Sequence, residues 1–250
     1  MTEPMTPQPA VVVTGASRGI GHAIVKEFHR LGWEVFTLAR TPFSNVCPWA
    51  EGIIKHIEVD LGDVASIEAA CAALLDRLGE RGLTALVNNA GISPKAAEGG
   101  RLSAMSTSLS VFGQVQMVNL MAPLMLTQNL LPALTKSKGA IVNVTSIAGT
   151  QIHPFAGAAY AVSKAGLSAL PRELAFELAE SGVRVNAISP GEIATSILSP
   201  GTADVVERQV PMKRLGSPEE VAEVVAFLCS HRSSYVNGAE IPINGGQHLL

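Results

Sequence analysis

Ser146, Tyr160 and Lys164 carry groups that can move a proton to or from the oxygen of a carbonyl or an alcohol. They stand in the text Val144-Thr145-Ser146-Ile147-Ala148-Gly149 and Ala159-Tyr160-Ala161-Val162-Ser163-Lys164-Ala165. With residues 156–180 read as helix, Tyr160 and Lys164 lie four apart and share one face. An ammonium about 4 Å from a phenolate stabilises it by roughly 4 kcal/mol at an effective dielectric of about 20. That is worth about three pKa units, enough to draw a phenol from ~10 toward neutrality, where general acid–base catalysis is efficient. Tyr160 is the expected acid in carbonyl reduction and base in alcohol oxidation. Ser146 would stabilise charge developing on the substrate oxygen. A Tyr-x-x-x-Lys spacing alone is more often a surface pair, so the reading needs a second motif.

That motif is Val11-Val12-Val13-Thr14-Gly15-Ala16-Ser17-Arg18-Gly19-Ile20-Gly21. An apolar β-branched run ends in a glycine turn, and Gly21 opens the helical pattern Ile24, Val25, Phe28, Leu31. The three glycines allow a tight turn, a close approach of backbone to a pyrophosphate, and close packing of helix on strand. Phosphates would then rest on the unsatisfied N–H groups of the helix start.

With both motifs in hand, the chain resembles the short-chain dehydrogenase/reductase family, in particular its 3-oxoacyl-[acyl-carrier-protein]-reductase-like members, over about residues 10 to 246. Thr14 to Gly21 matches the family's nucleotide loop and Asn88-Asn89-Ala90-Gly91 the motif after its fourth strand. Asn119, Ser146, Tyr160 and Lys164 match its catalytic set, and Pro190-Gly191 followed by Thr195 its nicotinamide-side loop. The resemblance implies that Lys164 also holds the nicotinamide ribose and that Asn119 holds a water in a proton relay. It implies cofactor contacts from Gly15, Ser17, Arg18, Gly19, Ile20, Gly21, Arg40, Asp60, Leu61, Asn88, Ala90, Gly91, Tyr160, Lys164, Pro190, Gly191, Ile193 and Thr195. Read alone, Asn119 fits equally a satisfied core amide, Asn88 a strand end that holds the sheet together, and Asp60 a plain turn residue.

The elements that must position these residues follow from the pattern. Apolar runs recur at 10–14, 34–39, 53–59, 84–88, 139–145, 183–189 and 239–243, with helical patterns between most of them. Such alternation predicts a single α/β domain of Rossmann type, a doubly wound parallel sheet with helices on both faces. The resemblance implies about seven strands in the order 3-2-1-4-5-6-7. Ligands of such sheets lie beyond the carboxyl ends of the strands, where Gly15, Asn88, Ser146 and Pro190 all fall. Residues 1–9, with three prolines, read as a loose tail, 10–250 as the domain, and 192–214 as a substrate lid. Glu192, at the root of that lid, fits a solvent-facing carboxylate better than a reader of cationic substrate groups. Two departures from the family stand out. Pro42 and Pro48 predict a loop or single turn where relatives carry a helix, and Pro171 predicts a kink near Leu167.

Composition narrows the function classes. At 250 residues and 47% hydrophobic, with mean hydropathy +0.30, the chain suits a sheet buried on both faces. A net charge of −3 with no basic cluster favours neither nucleic acid nor an anionic membrane. The apolar runs fall short of a membrane span, and Met1 to Pro9 lacks the apolar core of a signal peptide. Cys47, Cys71 and Cys229 are scattered and suit a reducing cytoplasm, and neither they nor the six histidines show metal-ligand spacing.

The expected function is hydride transfer between NADP(H) and a carbonyl or secondary alcohol. An NAD-dependent alcohol or sugar dehydrogenase and a non-catalytic NADP(H) sensor are the alternatives. NAD-binding relatives end the second strand in an acid; here Ala39 stands at that place and Arg40 follows, with Arg18 across the cleft. The partners expected are a small carbonyl or alcohol substrate and further copies of the chain, as homo-tetramer or dimer. Leu120, Leu124, Leu170 and Leu174, in the helical patterns 110–136 and 156–180, are the candidate contacts.

Overall fold

The computed structural model describes residues 8–45, 47–96, 99–195 and 198–250. Its strands are β1 (Ala10–Thr14), β2 (Glu34–Ala39), β3 (Lys55–Glu58), β4 (Ala85–Asn88), β5 (Ala140–Val144), β6 (Arg184–Pro190) and β7 (Glu240–Ile243). They form one seven-stranded sheet in the order β3-β2-β1-β4-β5-β6-β7, parallel throughout. The main helices are α1 (Gly19–Arg30), α2 (Val64–Leu78), α3 (Leu109–Gln116), α4 (Ala122–Ser137), α5 (Ala158–Leu178), α6 (Thr202–Gln209) and α7 (Pro218–Cys229).

Alternation along each strand divides the core in two. Val12, Phe36, Leu86, Ile141 and Val185 face α2, α4 and α5 through Ile67, Leu74, Leu126, Leu130 and Leu174. Val11, Val13, Val35, Val87 and Val142 face α1 and α7 through Ile24, Phe28, Val221 and Val225. Both faces of the sheet are thereby removed from water, which is why its strands read as unbroken apolar runs. Leu174, expected between subunits, belongs to this core, while Leu124 and Leu170 pack partly against it.

Several expectations need correcting. Gln8 and Pro9 are tied down: the Gln8 amide donates to the carbonyl of Gly32, and the Pro9 carbonyl accepts from the N–H of Glu34. Residues 1–7 of the expected tail lie outside the described residues. The proline-rich segment after β2 holds two short 3₁₀ turns, Phe43–Asn45 and Pro48–Ala50, which bury Phe43 and Ala50 against α1. Pro171 sits within α5, which continues on both sides of it from Ala158 to Leu178, so the proline does not end the helix. The ladder is irregular at Met117–Met121, a π turn between α3 and α4 in which the N–H of Ala122 bonds the carbonyl of Met117, five residues back. Pro123, next in the chain, has no N–H to offer the carbonyl of Asn119. The stretch Leu109–Ser137 also has a window of mean hydropathy 1.4, enough by length and composition to cross a membrane. It packs along the sheet, with Val115, Leu126, Leu130 and Leu134 in the core.

Candidate active site

Every strand that carries a site residue ends at the same edge of the sheet. At the end of β1, Gly15 has φ +67°, and a Cβ there would lie 2.7 Å from Cα of Ala90. A Cβ on Gly21 would come within 2.4 Å of the Gly15 carbonyl oxygen. Only glycine fits at either position, so strand, turn and helix pack backbone to backbone. The cradle is braced from β4: the Asn89 side chain donates to the carbonyls of Thr14 and Gly15 at 2.9 and 3.0 Å. The Thr14 hydroxyl accepts from the N–H groups of Asn89 and Ala90, both at 3.0 Å.

This cradle fits a pyrophosphate. The N-cap of α1 is Arg18, whose side chain makes no capping bond, and no acid occupies the first turn. The leading N–H groups, around Gly19, Ile20 and Gly21, are thus left for an anion, with the positive end of the helix dipole behind them. Ser17 lies half-buried in the turn, and Thr195 comes alongside Gly19, whose added Cβ would sit 3.3 Å from the threonine methyl. The loop after β6 therefore closes over the glycine turn. Gly191 is held by a bond from its N–H to the Ile243 carbonyl, Pro190 is buried, and Ile193 is clamped against Gly216. At the adenine end Arg40 and Arg18 are both exposed, and among the described residues neither guanidinium has an acidic partner.

Some expected cofactor residues have structural duties. The buried Asn88 amide donates to Asn143 at 2.8 Å and ties β4 to β5, while its Oδ1 has no hydrogen-bond partner among the described residues. Asp60 accepts from the N–H of Gly62 as a turn residue, and the Leu61 side chain is in the core. Ala90 and Gly91 do border the cleft, and a Cβ on Gly91 would lie 3.5 Å from both the Asn119 side-chain Oδ1 and Lys164 Nζ.

The candidate catalytic residues lie together and differ from expectation in electrostatics. Lys164 is buried and donates to the Val144 carbonyl at 2.7 Å; its Nζ stands 5.8 Å from the centre of the Tyr160 ring. Burial lowers the Lys164 ammonium to about 8 and pushes the Tyr160 phenol up, opposed by a hydrogen bond with Ser146. The phenol is therefore not drawn toward neutrality by Lys164. The lysine's own charge is disfavoured by the same low-dielectric surroundings, and a protonated phenol suits proton donation in reduction.

Asn119, fully buried in the π turn, accepts from the N–H of Ile92 at 2.8 Å. It donates to the Ile92 carbonyl and to the Ser163 hydroxyl, each at 3.0 Å. Ser163 in turn donates to the Tyr160 carbonyl at 2.7 Å, so Asn119 fixes the loop after β4 to the helix that carries Tyr160. Sequence reading holds Thr14 and Asn89 inside motifs without giving them these bracing roles, and it misses Ser163, because small polar side chains give no periodic signal.

Ser146 and Tyr160 line a cavity of about 210 Å³. Lys95, His153, Phe155 and Glu192 line the same cavity. Glu192 is only 8% exposed and accepts from His153 Nε2 at 2.5 Å, so it is no solvent-facing carboxylate. His153 and Lys95 carried no motif and were not anticipated.

A family model described as "Enoyl-(Acyl carrier protein) reductase" matches residues 15–248. Protein FixR of Bradyrhizobium diazoefficiens is 52% identical over 240 residues, covering 96% of this chain and 86% of its own. The 3-oxoacyl-[acyl-carrier-protein] reductase FabG of Aquifex aeolicus is 36% identical over 250 residues, covering 94% of this chain and 95% of its own. Among solved structures, a short chain dehydrogenase/reductase family oxidoreductase from Brucella ovis, in complex with a partially ordered NAD, superposes with a TM-score of 0.82. It is 48% identical and covers 95% of this chain and 100% of its own.

Proposed function

The chain belongs to the short-chain dehydrogenase/reductase family, among its 3-oxoacyl-[acyl-carrier-protein]-reductase-like members, and from that premise we propose that it moves hydride between NADP(H) and a carbonyl or secondary alcohol. The observation that carries the reading is the meeting of Ser146 and Tyr160 on one cavity wall, with Lys164 one helical turn further along α5. When bound, the nicotinamide supplies hydride to the carbonyl carbon, or takes it from the alcohol carbon. In reduction Tyr160 gives its phenolic proton to the substrate oxygen; in oxidation its phenolate takes that proton back. Ser146 donates a hydrogen bond to the same oxygen as negative charge grows there. Lys164 spends one N–H on Val144 and keeps two for the ribose hydroxyls. The α1 start would hold the pyrophosphate, while Ile193 and Thr195 would hold the carboxamide.

Four finer readings rest on particular residues. NADP(H) is favoured over NAD(H) by Ala39 at the end of β2 and by the exposed Arg18 and Arg40, which suit charge-assisted contacts to a 2′-phosphate. The Brucella ovis relative, bound to NAD, favours the alternative of an NAD-dependent dehydrogenase. Of the expected lid, 192–214, residues 196 and 197 lie outside the described residues, and the rest, including α6, would cover the substrate. Exposed apolar side chains on α5 (Val162, Phe176) and at Leu109 and Met121 suit a homo-tetramer or dimer, which light scattering would check. The three cysteines are free and buried, as suits a reducing cytoplasm. Assaying a carbonyl and alcohol panel with both cofactors tests the whole reading. Reduction of at least one ketone with NADPH is expected, and turnover of none with either cofactor would refute it.

A further inference from the structure

The cavity that faces Tyr160 carries two charges that hydride transfer does not use. Glu192 is held rigidly, because its carbonyl accepts from the N–H of Gly216 and the preceding Gly191 N–H bonds β7. One carboxylate oxygen takes the His153 Nε2 contact at 2.5 Å. His153 Nδ1 accepts the N–H of Phe155 at 3.2 Å, which leaves Nε2 as the proton-bearing nitrogen. The pair is thus a neutral imidazole donating to a carboxylate, and its negative charge is not cancelled within it. The second carboxylate oxygen of Glu192 has no hydrogen-bond partner among the described residues.

Lys95 supplies the opposite charge from the loop after β4. Its ammonium donates to the Phe155 carbonyl at 2.5 Å and has no carboxylate within ion-pair distance among the described residues. Phe155 therefore anchors both groups through its backbone, its N–H on His153 and its carbonyl on Lys95. Charges held part-buried without a counter-charge are costly, and a ligand that pairs them recovers that cost. A long apolar acyl chain would leave both unpaired and further desolvated. At about 210 Å³ the space also suits a small molecule.

We propose that Glu192 and Lys95 are specificity-determining residues that select a small zwitterionic carbonyl or alcohol, an ammonium group meeting Glu192 and a carboxylate meeting Lys95. A 3-hydroxy- or 3-oxo-2-amino acid has this chemistry, with its hydroxyl or carbonyl left for Tyr160 and Ser146. The inference rests on the reading of Tyr160 as the proton-transfer residue.

The test is oxidation of a truncation series by the full-length protein with saturating NADP⁺, and in parallel with NAD⁺. The series is the threonine stereoisomers, 3-hydroxybutyrate (no ammonium), 1-amino-2-propanol (no carboxylate) and 2-propanol (neither). At least one threonine isomer should exceed each truncated compound at least tenfold in kcat/KM. Glu192→Gln, which keeps an acceptor oxygen for His153, should bring the threonine to 3-hydroxybutyrate ratio to about one. Lys95→Met should do the same for threonine against 1-amino-2-propanol, so each variant erases one preference and spares the other. Binding is read separately, as protection of the cofactor-saturated protein against thermal unfolding by the same compounds. Ratios unchanged in both variants, better use of a truncated compound, or neither turnover nor protection by threonine would overturn the proposal. If a truncated compound is used best and Tyr160→Phe abolishes its turnover, only the specificity inference fails. Turnover that survives Tyr160→Phe sinks the reading beneath it.

Discussion

The proposed catalytic centre and the proposed adenine end of the cleft are built on opposite plans. At the centre, Asn119, Ser163 and Lys164 are buried, and the hydrogen bonds of each run to a neighbouring site element. At the adenine end, Arg18 and Arg40 stand exposed on a glycine turn and at a strand exit, beside two short 3₁₀ turns. The chemistry sits where side chains cannot move independently, which keeps reacting groups in register. The choice of cofactor sits where a side chain can change without disturbing packing. The difference teaches that substitutions at the centre should cost turnover and, at the buried Lys164, shift stability as well, while those at the adenine end should alter preference alone.

The largest expected effect comes from the centre. Tyr160→Phe should lower kcat by about 10²–10⁴-fold and leave cofactor affinity nearly unchanged, since it removes the proton donor and little else. Wild-type turnover in that variant would break the mechanism, and a matching loss of cofactor affinity would blur the contrast between the two regions.

Next comes the adenine end. The wild-type protein should prefer NADPH over NADH by tenfold or more, because one charged contact supplies about 1.5–3 kcal/mol. Replacing Ala39 with Asp and Arg40 with Ser should reverse that preference, with an unchanged melting temperature. Equal kcat/KM for both cofactors in the wild type would remove Arg18 and Arg40 from the account, and a large fall in Tm would show that this end is not independent of the fold.

The smallest effect, and the sharpest on the centre, concerns Lys164. Its folded pKa of about 8 lies below the ordinary 10.5, so the unfolded chain holds that proton more tightly. The cost of burying the ammonium is fully present at pH 7 and is relieved as pH rises from about 8 toward 10.5. Lys164→Met should therefore abolish activity yet stabilise the cofactor-free protein at pH 7 by on the order of 1–3 kcal/mol, the lost bond to Val144 offsetting part of the gain. Wild-type Tm should rise over that pH window while the variant's stays flatter. A variant less stable than wild type at pH 7 would mean the Val144 bond outweighs the cost of burial.

The fold was legible almost entirely, because parallel strands covered on both faces must read as apolar runs and their turns as glycine and proline. So were the positions of Gly15, Gly21, Ser146, Tyr160 and Lys164, since strand ends and a four-residue helical step carry them to one edge. What a linear reading mistook were quantities set by surroundings. In sequence Glu192 looks solvent-facing because its partner, His153, lies 39 residues away on another loop. The Tyr160 pKa was argued from one charge at one distance, whereas burial of both groups decides its direction.

The sequence by itself determined the order of the strands' apolar runs, the glycine cradle and the candidate proton-transfer groups, because these depend on local geometry and residue type. Only the tertiary structure decided which polar side chains brace the cradle, that a π turn sets Asn119 into the core, and that Lys95 and Glu192 face one cavity. Those outcomes depend on the depth and distance of groups far apart in the chain, which hydrophobic packing of the whole sheet fixes and no local spacing encodes.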